Sequence, residues 1–128
     1  MAENLAQRTC IPCSGSLPPA TPEEIAQYQL QIPHWQVIES DSVMQLQRQY
    51  GFKNFQQALA FTNRVGELAE SVGHHPALLT ECVKVTVNWW THAIAGLHHN
   101  DFIMAAKTDE VAEQCNAKIS ATSVGIHS

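Results

Sequence analysis

Residues 73–92 read Gly73-His74-His75-Pro76-Ala77-Leu78-Leu79-Thr80-Glu81-Cys82-Val83-Lys84-Val85-Thr86-Val87-Asn88-Trp89-Trp90-Thr91-His92. Gly73 and Pro76 close a helix and prevent its continuation, so the histidine pair sits at a sharp helix exit. From Leu78 to Trp90 the chain reads as strand, with Val83, Val85, Val87 and Trp89 on one face. A single strand over 77–91 would hold His75 and His92 nearly 50 Å apart, at about 3.3 Å per residue. The two ends can share a pocket only if the chain doubles back near Glu81 to Lys84. That stretch has no Gly, Asn or Pro, so the hairpin is required by geometry while its turn chemistry is silent.

Upstream, Thr21-Pro22-Glu23-Glu24 is a helix start with Thr at the N-cap, Pro first and Glu three residues after the cap. Ile25, Tyr28 and Ile32 form a short apolar stripe that Pro33 ends. Trp35 to Glu39 and Met44 to Tyr50 alternate as strands around Ser40-Asp41-Ser42, which predicts a hairpin. Asn54, with Gln57 as its capping box, starts a long helix. Its expected core face carries Phe55, Leu59, Thr62, Val65, Leu68 and Val72, with Phe61 alongside. Downstream, Phe102 to Cys115 reads as a last, weakly amphipathic helix, with His98 where an N-cap stands and Asp101 three residues on. The order helix, two strands, helix, strand region, helix predicts an α+β domain, an antiparallel sheet with helices gathered on one face. Residues 1–20 are expected to be an irregular leader, 21–115 a single domain and 116–128 a flexible tail.

The composition agrees with one cytoplasmic domain. The chain has 128 residues, 45% of them apolar and 15% charged, enough to fill a core without a disulfide or metal. Seven Lys and Arg against twelve Asp and Glu give a net charge of −5, which argues against nucleic acid as a partner. No apolar run approaches the roughly 20 residues of a membrane helix, and the N terminus lacks the apolar core of a signal peptide. Four unevenly spaced cysteines suit a reducing compartment.

Seven histidines stand out, equal in number to all the Lys and Arg. An imidazole titrates near pH 6.5, the value for moving protons at neutral pH. His74, His75 and His92, converging on one pocket, would make an acid/base site without metal. His98 and His99 read as capping or solvated residues, and His34 and His127 as bystanders. Cys10-x-x-Cys13 lacks the second pair that a zinc site needs and does not lie between a strand and a helix, as a redox pair would. It reads as two unrelated thiols.

The segment Glu70-x-x-x-His74-His75-Pro76, followed by His92, Gly96-Leu97 and Asp101, resembles the signature of the pterin-4a-carbinolamine dehydratases. Trp35 at the first strand, Phe52-Lys53-Asn54-Phe55 and Ala105-Ala106-Lys107 also match, so the resemblance spans roughly residues 21–110. It departs at Cys82 and Val83, near which the family usually has an aromatic residue, at Leu78 where Trp is common, and at His98 in place of Ser or Thr. The resemblance implies an α+β fold, a four-stranded antiparallel sheet with three helices packed on one face in the order α-β-β-α-β-β-α, and it supplies the turn after His-His-Pro. It implies dehydration of a 4a-hydroxytetrahydropterin to a quinonoid dihydropterin, in recycling the cofactor of aromatic amino-acid hydroxylases, with no metal or cofactor of its own. On matching positions, His74 and His92 become the acid/base pair and His75 mainly a binding residue. Glu70 would orient an imidazole or bind the pterin's amino edge, and Trp35 would offer a face to the flat ring. Asp101 would orient His92 or cap the helix. A homodimer or homotetramer is the implied assembly. Two other classes stay open: a protein-binding dimerisation module, and a metal protein using Cys10, Cys13 and the histidine pairs.

Overall fold

A computed structural model describes residues 5–8 and 18–115 of the chain. Three helices, α1 (Pro22–Gln29), α2 (Phe55–Val72) and α3 (His99–Gln114), and four strands, β1 (Gln36–Ser40), β2 (Val43–Gly51), β3 (Ala77–Glu81) and β4 (Lys84–Trp89), follow one another as α-β-β-α-β-β-α. The strands form one antiparallel sheet in the order β1-β2-β4-β3.

Local chemistry starts α1 and α2 where the sequence indicates. The Thr21 side chain accepts the Glu24 N–H at 3.1 Å, and the Glu24 carboxylate accepts the Thr21 N–H at 2.9 Å. Asn54 Oδ1 accepts the Gln57 N–H at 2.8 Å, while the Gln57 side chain turns back to the Lys53 N–H. Such caps satisfy donors that the first helical turn leaves without partners. α3 begins at His99, three residues before the expected Phe102.

The segment read as strand from Leu78 to Trp90 is two strands joined by the hairpin that the resemblance supplied. β3 and β4 meet at a two-residue turn, Cys82-Val83, with Glu81 paired to Lys84 and Ala77 to Asn88. Cys82 takes a left-handed φ of 42°, a conformation usually left to Gly, Asn or Asp. That is why no turn residue announced it.

One sheet face is apolar and carries the helices. Leu46 and Tyr50 of β2 and Val85, Val87 and Trp89 of β4 are buried against α2 and α3. α1 joins this layer through α3, Tyr28 lying 5.3 Å from Phe102 between ring centroids. The other face is a polar ladder: Asn88 donates to Gln45 at 2.8 Å, Gln47 to Asn88 at 3.3 Å and Gln49 to Thr86 at 3.2 Å.

The core face of α2 overlaps the expected one only in part, with Phe61, Val65 and Leu68 packed into the core and Phe55, Leu59 and Val72 outside it. Ala58, Phe61, Val65 and Ala69 are buried, whereas Phe55 and Leu59 are 51% and 43% exposed. Buried alanines let the helix approach the sheet closely, and only Phe61 and Val65 are large enough to fill the gap. Phe55 and Leu59 turn outward although they are larger than the buried alanines, against the usual expectation that size predicts burial.

Upstream of α1, Leu5–Gln7 form a 3₁₀ turn seated on α3. Leu5 is buried, its N–H donates to Gln31 Oε1 at 3.0 Å, and Lys107 Nζ donates to the Ala6 carbonyl at 2.8 Å. Part of the segment read as a leader thus belongs to the core. Cys10, Cys13 and residues 116–128 lie outside the described residues.

Candidate functional site

α2 closes at Gly73, whose φ of 69° is left-handed. The Gly73 N–H donates to Glu70 C=O and the His74 N–H to Ala69 C=O at 3.2 Å, the paired closure of a Schellman motif. The closure sends two consecutive imidazoles in different directions. His74 turns inward, 4% exposed, and its Nε2 lies 2.6 Å from Oδ1 of Asp101, which is fully buried. His75 turns outward, its Nε2 2.9 Å from Oε1 of Glu70, in a pair whose side chains are 59% and 81% exposed.

Asp101 sits in the first turn of α3, where the helix dipole favours negative charge. Its Oδ2 accepts the Thr91 hydroxyl at 2.8 Å and the His98 backbone N–H at 2.9 Å. Asp101 thus meets one imidazole, one hydroxyl and one backbone N–H. The resemblance suggested Asp101 as an orienter of His92 or as a cap. It is a cap, and the imidazole it holds is that of His74.

His98 caps α3, its Nδ1 accepting the Asn100 N–H at 3.2 Å, and its ring lies 4.1 Å from that of His99. Burial pushes both imidazoles below their ordinary pKa; His99 adds to the effect at His98, and Arg8 at His99. Both rings therefore favour the neutral form that the cap requires.

His92 follows β4 in a short turn, His92–Ile94, pinched shut by Thr91 and Gly96, each donating an N–H to the other's carbonyl. Ala95 is left-handed there, at φ 50°. His92 is exposed and its ring lies 4.5 Å from that of Trp90. Because Ala77 pairs with Asn88, the residues before β3 run beside those after β4, and His74, Thr91 and Asp101 meet there. His92 is joined to Thr91 directly, its Cα about 3.8 Å along the chain.

Trp35 stands elsewhere. It is 2% exposed and its indole N–H donates at 3.0 Å to Asp109, eight residues or about 12 Å further along α3 than Asp101. Arg48, at 2.9 Å, and the Tyr50 hydroxyl donate to the same Asp109 oxygen. Burial raises the Asp109 carboxyl above its ordinary pKa, against the hydrogen bond from Tyr50, and burial raises the Tyr50 phenol well above its own.

Thr91, Trp89 and Asp109 escaped the reading of the sequence. Trp89 is fully buried, with its ring stacked 5.6 Å from that of His74 at 14° between planes. The one available signal was the Trp89-Trp90 doublet immediately before Thr91-His92. Among the described residues no group of three His, Cys, Asp or Glu is arranged to hold a metal ion.

Residues 18–111 match the family model described as pterin 4 alpha carbinolamine dehydratase. A provisionally named pterin-4-alpha-carbinolamine dehydratase of Microcystis aeruginosa is 57% identical over 113 residues, 88% of this chain and 97% of the relative. A protein of the same provisional name from Syntrophotalea carbinolica is 57% identical over 111 residues, 87% and 99% of the two chains. Among solved structures, a transcriptional coactivator/pterin dehydratase from Brucella melitensis aligns with a TM-score of 0.67 at 27% identity, over 74% of this chain and 99% of that one. A pterin dehydratase-like protein identified as a RuBisCO assembly factor in the alpha-carboxysome shares the fold at a TM-score of 0.52 and 22% identity, over 62% and 92%.

Proposed function

The chain belongs to the pterin 4 alpha carbinolamine dehydratase family, and from that premise we propose that it dehydrates a 4a-hydroxytetrahydropterin to the quinonoid dihydropterin by histidine acid/base catalysis. One observation carries this: the buried His74–Asp101 pair is tied through the Thr91 hydroxyl to the turn that bears His92. One carboxylate thus holds one imidazole directly and anchors the residue next to the other.

The reaction breaks the C4a–O bond, removes the N5 proton and forms the C4a=N5 double bond, releasing one water. One group must give a proton to the departing oxygen and another must take the proton from N5. His74 is the acceptor. Asp101 fixes its tautomer through Nε2–H and stabilises the imidazolium that forms, as carboxylates behind catalytic imidazoles do. His92, exposed and able to exchange protons with water, is the donor. His75 binds the substrate at the rim with Glu70 orienting it, and Trp35 keeps the frame rather than meeting the ring. No metal or cofactor takes part, and the role is pterin recycling for aromatic amino-acid hydroxylation in the cytoplasm.

The test is a dehydration assay on chemically prepared 4a-hydroxytetrahydropterin. His74→Ala and His92→Ala each lower kcat by about 10²–10⁴-fold with the fold intact; full activity in either variant sinks the assignment.

A second reading has its own support. Phe55 and Leu59 are exposed one turn apart on α2, which favours association through that face. A homodimer or homotetramer is the proposed state, and a dimerisation or coactivator module with little catalysis is the alternative role. Sedimentation of wild type against Phe55→Ser/Leu59→Ser measures the first. Normal pterin turnover without a stable protein partner rejects the second.

A further inference from the structure

We propose that Trp90 is a positioning residue for the reaction, its indole ring holding the His92 imidazole in one orientation; this rests on the dehydratase reading above. Thr91 has extended backbone, φ −98° and ψ 109°, and on an extended chain residues two apart point to the same side. Trp90 and His92 are therefore neighbours, while Thr91 between them points the other way, to Asp101. The two rings lie 4.5 Å apart between centroids at 37° between planes, within the range of aromatic pairs. His74 and His75 each meet a carboxylate. The exposed His92 ring, among the described residues, meets an indole in place of one.

The indole is fixed better than the imidazole it holds. Trp90 packs, partly buried, against the core. On one side of it Trp89 is fully buried and paired with Leu46 in the sheet. On the other side Thr91 is buried, its hydroxyl donates to Asp101, and its backbone exchanges N–H bonds with Gly96. Both neighbours therefore pin the Trp90 backbone, and the core pins its ring. An exposed histidine left to itself samples three χ1 wells and a broad χ2. Only some of those orientations aim a ring nitrogen at a substrate held beside His74. A partner that selects one orientation raises the fraction of molecules ready to donate a proton without touching the substrate. That gain falls on kcat and not on KM.

A partly buried tryptophan also fills volume, so the test separates positioning from filling. Trp90→Leu removes the aromatic face, Trp90→Phe keeps a ring, and Phe61→Leu removes a core ring that touches Tyr50 and Phe52 instead. Two readouts apply to the whole chain: kcat and KM for dehydration, and the NMR couplings that report the χ1 rotamer of His92. The wild type is expected to show one dominant His92 rotamer. Trp90→Leu is expected to average it and to lower kcat by about 3–10-fold with KM unchanged, a size set by the number of wells released. Trp90→Phe recovers most of both. Phe61→Leu loses stability but keeps both readouts. An averaged His92 rotamer in the wild type overturns the proposal by itself. Wild-type kcat or an unchanged rotamer in Trp90→Leu overturns it too, as does a raised KM with kcat unchanged, which puts the indole on the substrate instead. Phe61→Leu lowering kcat as far as Trp90→Leu also overturns it. If the wild type lacks dehydratase activity, the functional reading fails and the His92 rotamer alone decides the contact, an unchanged rotamer in Trp90→Leu rejecting it.

Discussion

Two hairpins of this molecule end on the same helix, each through one carboxylate that gathers three donors. The β1–β2 hairpin is held by Asp109, which takes Trp35, Arg48 and Tyr50. The β3–β4 hairpin is held by Asp101, which takes His74, Thr91 and the His98 N–H. The donors to Asp109 all lie on or beside two neighbouring strands, so that cluster locks a sheet to a helix. The donors to Asp101 come from three separate junctions, after α2, after β4 and before α3, so that cluster also holds an imidazole where the chain turns. Similar bonding locks sheet to helix at one end of α3 and, in the function proposed above, positions chemistry at the other.

The sharpest way to break the comparison is to neutralise each carboxylate in turn. Asp101→Asn is expected to lower kcat by roughly 10²–10⁴-fold, because the imidazole loses its tautomer and its countercharge together. Asp109→Asn should leave kcat at the wild-type value while costing about 1–3 kcal/mol in urea unfolding, since Arg48 loses its charged partner. Equal effects of the two substitutions on kcat would erase the distinction.

Acid should move the two locks in opposite directions. His98 and His99 have lowered pKa values, so below the ordinary histidine value of about 6.5 the unfolded chain binds protons that the folded chain refuses. Their contribution is present above that pH and lost as pH falls through the folded values. Asp109 has a raised pKa, so its contribution is present at low pH and lost as pH rises through the raised value. Hydrogen exchange between about pH 8 and pH 5 is expected to show the Asn100 and Asp101 amides losing protection before those of β2. His98→Ser, which caps without titrating, removes part of that loss.

The turns provide a smaller contrast. Asp41 and Ser42 both adopt positive φ, 51° and 67°, the pattern of a tight hairpin turn that such residues tolerate. Cys82 adopts φ 42° without that tolerance. Cys82→Gly should stabilise the protein by about 0.5–1 kcal/mol and Asp41→Gly by less, both read from urea midpoints. The smallest effect belongs to the exposed Glu70–His75 pair. Glu70→Gln is expected to change stability by less than about 0.5 kcal/mol, with any kinetic effect confined to KM.

These two hairpins also mark what could be read from residues alone. The first was legible because Ser40-Asp41-Ser42 is turn chemistry between alternating strands. The second had no turn chemistry to show it: reach made it a condition for the histidines to converge, and the family resemblance supplied it. The caps at Thr21, Asn54 and His98 were legible because each acts over two or three residues. The face of α2 was legible at Phe61, Val65 and Leu68 and misread at Phe55 and Leu59, because burial there follows how closely the sheet approaches rather than side-chain size. Trp35, expected to face a ligand, instead donates to Asp109, a partner 74 residues away.

By itself, the sequence determined the starts of α1 and α2, the strand alternation, the α+β class and the three histidines worth following. Those properties are local, decided by caps, periodicity and residue chemistry within a few positions. Only the tertiary structure decided that Asp101 holds His74, that Thr91 links that pair to the His92 turn, and that Trp89 lies under the imidazole. Those contacts join residues 10 to 27 positions apart. They exist because sheet register and the seating of α3 bring three chain junctions to one place, which no short stretch of sequence records.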